Sequence, residues 1–136
     1  RQGLNVDLTF SQEDRSENIR RIAEVSSLLI DAGLVVLSAF VSPYRKDRMM
    51  VKSKVKDINF IEIFVDTPLE ECIRRDTKGL YGKAKKGLIK NLTGINAPYE
   101  RPENPNLRID TTKFTVDEAV NMILNTIETK LEKSIL

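Results

Sequence analysis

Leu34–Phe40, LVVLSAF, is the run that decides the fold class. It is rich in β-formers and apolar on both faces, as suits a central strand of a parallel sheet covered by helices on both sides. Ser42-Pro43 ends it. Upstream, residues 1–10 read as a loop, and Ser11 can cap a helix with Glu13 and Asp14 in its first turn. Ile19, Ile22, Ala23, Val25, Leu28 and Leu29 then recur at helical spacing, and Gly33 stops the helix at about Ala32. Downstream, Tyr44 to about Val55 reads as a polar helix, and Phe60–Val65, FIEIFV, as a second strand. Thr67-Pro68-Leu69-Glu70 reads as an N-cap, a proline at the first helical position and the glutamate of a capping box, opening a helix to about Arg74. Leu107–Asp110 is a third short strand, and Thr115 starts a last helix with Val116, Ala119, Val120, Ile123, Leu124 and Ile127 on its apolar face. Helices alternating with strands predict an α/β fold with a parallel sheet. Three strands are few for such a sheet, so further strands are expected from outside these residues, or the chain is a fragment.

A length of 136 residues predicts one domain, and 40% hydrophobic with 31% charged residues argues against wholesale disorder. No apolar run approaches the roughly 20 residues of a membrane helix. No secretory signal opens the sequence, so a cytoplasmic location and no membrane partner are expected. The single cysteine, Cys72, excludes an internal disulfide framework and reads as a small core residue. The absence of histidine excludes His-based triads, proton shuttles and metal sites. A net charge of +2 is too even to imply nucleic acid.

Residues 76–106 stand apart, with four glycines, three prolines and little apolar periodicity beyond a turn of helix at Tyr81–Lys86. An excursion of that length suits an active-site lid and substrate loop within the single domain. Arg74, Arg75, Lys78, Lys83, Lys85, Lys86 and Lys90 face Asp76 alone across this stretch. Such charge suits a ligand with several phosphate or sulfate groups, a solvated surface being the alternative. Nucleic acid is the lesser option, because only Tyr81 is there to stack. Phe10, Arg15 and Asn18 gather an aromatic, a guanidinium and an amide at one helix start, fit for a base and an anion, or a core Phe among surface polar groups. Ser42 lies beyond the carboxyl end of the run at 34–40, where parallel sheets bind ligands, or is only a turn residue. Arg45, Lys46 and Arg48, interrupted by Asp47, read as a solvated face. None of the six glycines opens a G-x-x-x-x-G-K-[ST] phosphate loop.

Five stretches together carry a family resemblance: RQGLN at 1–5, FSQEDRSENIRRIAEV at Phe10–Val25, DAGLVVLSAFVSPYR at Asp31–Arg45, RRDTKGLYGKA at Arg74–Ala84, and IKNLTGINAPYERPENP at Ile89–Pro105. In order and spacing the chain resembles adenylylsulfate kinase over nearly its whole length. The resemblance implies a P-loop nucleotide-kinase fold. It also implies transfer of the γ-phosphoryl of ATP to the 3′-hydroxyl of adenylyl sulfate, giving 3′-phosphoadenylyl sulfate in sulfate activation. ATP and Mg2+ would be required, and a homodimer is expected. Arg1 matches the arginine closing the family's Asp-Gly-Asp-Asn-x-Arg segment, and Phe10 the aromatic that stacks on the substrate adenine. Arg15 and Asn18 match helix residues contacting adenylyl sulfate. Val41 and Ser42 match the Ile-Ser of the substrate pocket. Ser42 also stands at the family's phosphoserine position, although in-line transfer between two bound nucleotides needs no covalent step. Lys78 matches the lid lysine at the substrate, Asn91 and Leu92 fall in the substrate loop, and Arg75 resembles a lid arginine on the ATP side.

Two departures qualify the match. Leu92 stands where the family usually has phenylalanine, removing one face of an aromatic sandwich. The family's opening segment, with the phosphate loop and the aspartate expected as base, falls before Arg1. The alternative expectations are a truncated, non-catalytic chain that at most binds adenylyl sulfate or self-associates, and a nucleic-acid module.

Overall fold

The computed structural model describes residues 1–57 and 60–135. Helix α1 spans Gln12–Asp31, and Ser11 caps it by accepting a hydrogen bond from the Asp14 amide at 3.1 Å. It stops where expected: Ala32 is the C-cap, and Gly33 takes the left-handed φ of 83° that lets Leu34 N–H return to the Leu29 carbonyl. Asn18, Ile19, Ala23 and Ser26 are its buried side chains, whereas Val25, Leu28 and Leu29 stay exposed. Helix α2, Arg45–Lys54, lies against α1. Ser16 donates to Asp47 at 2.9 Å and Lys54 pairs with Glu24 at 2.7 Å, tying the two helices by polar links.

Strands β1 (Ile63–Asp66) and β2 (Leu107–Asp110) pair in parallel, with Ile63 beside Leu107 and Asp66 beside Asp110. Phe64, Asp66 and Ile109 point inward and are buried. Between the strands come α3 (Leu69–Arg75) and α4 (Leu80–Lys85), the latter inside the long excursion, as expected. Helix α5, Val116–Ile135, follows β2 and packs on it. A reciprocal capping box starts α5: Thr115 N–H donates to the Glu118 carboxylate at 2.8 Å, and Glu118 N–H donates back to Thr115 Oγ1 at 3.3 Å. The parallel pairing and the helix–strand order make this an α/β fold of the expected class. No described helix is long and apolar enough to cross a membrane.

Three expectations are corrected. Leu34–Phe40 is not a strand, because Val35–Val41 make no backbone hydrogen bond among the described residues. Propensity supplies a shape, but a strand exists only through a neighbour's ladder. Val35 and Leu37 are accordingly 80% and 83% exposed. Regular pairing in FIEIFV begins only at Ile63. Thr67 is not the N-cap of α3. Pro68 holds that position without a side-chain cap, and the Thr67 hydroxyl instead meets that of Thr111 at 2.7 Å, joining the ends of β1 and β2.

Candidate functional site

The start of α1 is a knot of short-range polar bonds. Thr9 donates to the Asp14 carboxylate through its backbone N–H at 2.8 Å and through its hydroxyl, and the Ser11 amide donates to Thr9 Oγ1 at 3.2 Å. These bonds, the Thr9 hydroxyl's first, hold the Asp14 carboxyl below the usual carboxylate range. The knot leaves Phe10 projecting, 55% exposed. Two guanidiniums cover its ring: Arg1 lies 4.8 Å and Arg15 5.7 Å from the ring centroid, both within cation–π range. Arg1 also donates to the Asp14 carbonyl at 3.1 Å. Arg15 donates to the Phe10 carbonyl at 3.2 Å and, from the far end of its fork, to the Asn91 carbonyl. Partial burial, then the neighbouring Arg15 charge, lowers the Arg1 pKa.

Asn91 carries a left-handed φ of 60° and opens a turn closed by its own amides. Leu92 N–H donates to the Asn96 side chain at 2.6 Å, and the Leu92 carbonyl accepts from Ile95, Asn96 and Ala97. Arg1, Phe10, Arg15 and Asn91 are therefore one cluster, with Leu92 next to it in the chain. Asn18 lies three residues beyond Arg15 in α1 and is buried. A flat apolar ring beside two forked cations supplies the groups that a planar base and an anionic group would use.

Val41 and Ser42 form a second cluster at the entrance to α2. Val41 is exposed and Ser42 half-buried. The segment Tyr99–Glu103 is strapped across this turn. Glu100 N–H donates to the Pro43 carbonyl at 2.8 Å, Arg45 N–H to the Glu100 carboxylate at 2.6 Å, and Arg45 reaches the Arg101 carbonyl and Glu103. Arg48 and Asp47 correct the reading of a solvated face, since they are only 8% and 5% exposed. Sequence reasoning missed them because RKDR looks like ordinary surface. The partners that bury Arg48, at residues 42, 62 and 100, are all distant or off the helix. Tyr99 stacks on Phe64 at 6.0 Å between ring centroids, which seats the strap on β1. Burial raises the Tyr99 phenol pKa. Asp66, buried at the end of β1, accepts from both Arg101 and Arg108.

The third group lines a cleft between α3 and α4. Cys72, half-buried rather than core, lies there with Arg75, Asp76, Lys78 and Tyr81. Arg75 spans Glu71 and Thr111, donating to the Thr111 hydroxyl and carbonyl at 3.0 Å each. Glu71, just before the basic stretch, also pairs with Arg74. Those hydrogen bonds, Arg74's first and Arg75's second, bring the Glu71 pKa down to about 2. Asp76 holds α4 by accepting from Tyr81 and Gly82 amides at 3.1 and 3.0 Å. Desolvation pushes its pKa up, but the amides of Gly82, Tyr81 and Leu80 outweigh it and the net shift is downward. Lys78, Lys85, Lys86 and Lys90 make no ion pair among the described residues, so the spare positive charge of the excursion lies there rather than at Arg74 and Arg75. Among the described residues no hydrogen bond or ion pair joins Arg75 or Lys78 to the Phe10 cluster.

A family model described as adenylylsulphate kinase matches residues 1–110. The adenylyl-sulfate kinase of Bacteroides thetaiotaomicron is 52% identical over 133 residues, covering 98% of this chain and 66% of its own length. The probable adenylyl-sulfate kinase of Halalkalibacterium halodurans is 53% identical over 131 residues, covering 96% and 63%. The chain thus spans slightly under two-thirds of the curated relatives it matches. Among solved structures, the Mycobacterium tuberculosis APS kinase CysC in complex with AMPPNP and APS aligns with a TM-score of 0.88 at 45% identity, covering 93% of this chain and 73% of that one.

Proposed function

Because the chain belongs to the adenylylsulfate kinase family, we propose that the whole protein transfers the γ-phosphoryl of ATP to the 3′-hydroxyl of adenylyl sulfate, and that these 136 residues carry its substrate-binding part. One observation carries the reading: Arg1 and Arg15 both lie over the Phe10 ring, and Arg15 is tied to Asn91. In this reading adenine stacks on Phe10 with Leu92 on its other side. Arg1 and Arg15 take the phosphate–sulfate end, and Asn18, Val41 and Ser42 line the sugar side. Lys78 reaches the substrate from the lid, residues 76–106, and Arg75 serves the ATP side. Phosphoryl transfer asks for positioning and charge neutralisation rather than a histidine base, and the chain has no histidine. Ser42 acts here as a polar contact in the pocket, not as a phosphorylated intermediate.

ATP would arrive with Mg2+, which binds mainly through phosphates and retained waters. Among the described residues no three His, Cys, Asp or Glu side chains gather to hold a metal ion. A homodimer in the cytoplasm belongs to the same proposal, and sedimentation velocity tests the dimer.

Titration calorimetry of the chain with adenylyl sulfate, and separately with Mg·ATP, tests the assignment. Adenylyl sulfate is expected to bind more tightly than AMP, which has the same base and no sulfate. Equal affinity for the two, or binding of neither, overturns the substrate assignment.

A further inference from the structure

Arg48 lies in the first turn of α2, inside the strapped cluster, and no expectation from the sequence gave it a role. It is 8% exposed, and its guanidinium addresses three separate stretches of chain. Nη1 donates to the Ser42 carbonyl at 2.6 Å, Nη2 donates to the Glu100 carbonyl at 2.6 Å, and Nε faces Glu62 at 2.9 Å. The Tyr99 ring lies 5.9 Å from the guanidinium carbon. The two carbonyls belong to segments that also bond each other directly, through Glu100 N–H to Pro43 and Arg45 N–H to the Glu100 side chain. A planar fork with five donors can bridge such carbonyls at fixed spacing, whereas an ammonium is a single point charge on a flexible stem.

We infer that Arg48 is a positioning residue: it clamps the Ser42 turn to the 99–103 strap and so sets Val41 and Ser42 for the nucleotide. The inference rests on the adenylyl sulfate reading for its ligand, but the clamp is measurable without any ligand.

The test uses Arg48→Lys in the same chain, with two readouts. Hydrogen exchange at the Arg45 and Glu100 amides reports the clamp. Exchange at both is expected to accelerate at least tenfold, with the mid-α1 amides unchanged. Calorimetry reports the consequence, and the adenylyl sulfate Kd is expected to rise at least tenfold. Added methylguanidinium should restore both readouts in Arg48→Ala, and methylammonium should not. If Arg48→Lys also loses α1 protection, Glu100→Ala replaces it. That variant removes only the carboxylate that holds the Arg45 amide, and it should loosen the turn and weaken binding with α1 intact. Unchanged exchange in Arg48→Lys, or faster exchange with unchanged Kd, overturns the inference. A parent chain that fails to bind adenylyl sulfate overturns the substrate reading instead. Exchange in the variant would then still decide the clamp: faster exchange upholds it, and unchanged exchange overturns it.

Discussion

Replacing Phe10 by leucine separates stacking from every other part of the proposed substrate site. Phe10 is 55% exposed, so loss of its ring costs the fold little beyond two cation–π contacts, worth about 0.5–1 kcal/mol each at exposed sites. Binding should suffer more. Leu92 already gives the opposite face aliphatic contact only, so Phe10 is the one aromatic plane available to the base in this reading. Stacking of a base on an aromatic ring is worth roughly 1–3 kcal/mol, and each 1.4 kcal/mol is about tenfold in Kd. Leucine keeps some apolar contact, so a rise of about 10- to 50-fold in the adenylyl sulfate Kd is expected. Calorimetry at one fixed ionic strength is the assay, because the contributions of Arg1 and Arg15 are screened by salt. Leu92→Phe, which adds a second plane, should tighten binding by about tenfold on the same scale. A Phe10→Leu Kd within twofold of the parent would refute adenine stacking at this ring.

Asp66→Asn removes the charge shared by Arg101 and Arg108. Both guanidiniums are more than half exposed, so the loss is set at about 1–2 kcal/mol, read as a lower urea midpoint at constant slope. An unchanged midpoint would mean the paired arginines find equal solvation elsewhere. Thr115→Ala breaks the box that starts α5 and should cost about 1 kcal/mol in the same measurement. Stability should also fall in acid. Hydrogen bonds from Arg20 first and Arg21 second hold the Glu17 pKa at about 2 against an ordinary 4.5, and Glu71 is held alike by Arg74 and Arg75. A folded pKa below the unfolded one adds stability that is full above about 4.5 and lost as pH falls toward 2. The double variant Glu17→Gln, Glu71→Gln should flatten the urea midpoint between pH 5 and 2, and an equally steep decline would assign the acid sensitivity to other carboxylates.

What the sequence reveals divides along the range of the interactions. Helix α1 is legible from Ser11 to Gly33 because its cap, first-turn acids and stop are bonds within a few residues. Strand β2 is legible at both ends, bracketed by a proline-rich stretch and a threonine cap. LVVLSAF misleads because the same residues that favour a strand cannot supply its partner. Thr67 misleads because a hydroxyl that could cap α3 locally has a competitor at Thr111, far away in sequence. At the candidate site, Phe10 and Arg15 announce themselves by local spacing. Their link to Asn91 crosses 76 residues and leaves no periodic trace. Arg48 is the extreme case: its local pattern is polar, yet it is buried by partners that lie outside its own helix.

The uncovered run at Val35–Val41 has a consequence for the chain as a material. An unpaired, β-prone, apolar stretch with free backbone donors and acceptors is a template for edge-to-edge growth between molecules. Its nearest charged neighbours are Asp31 on one side and Arg45 on the other, so no gatekeeper charge interrupts it. With a net charge of only +2, long-range repulsion does little to keep copies apart. Light scattering of the isolated chain should therefore climb steeply with protein concentration, and a lysine placed at Val35 or Leu37 would raise the solubility ceiling without disturbing a hydrogen bond among the described residues.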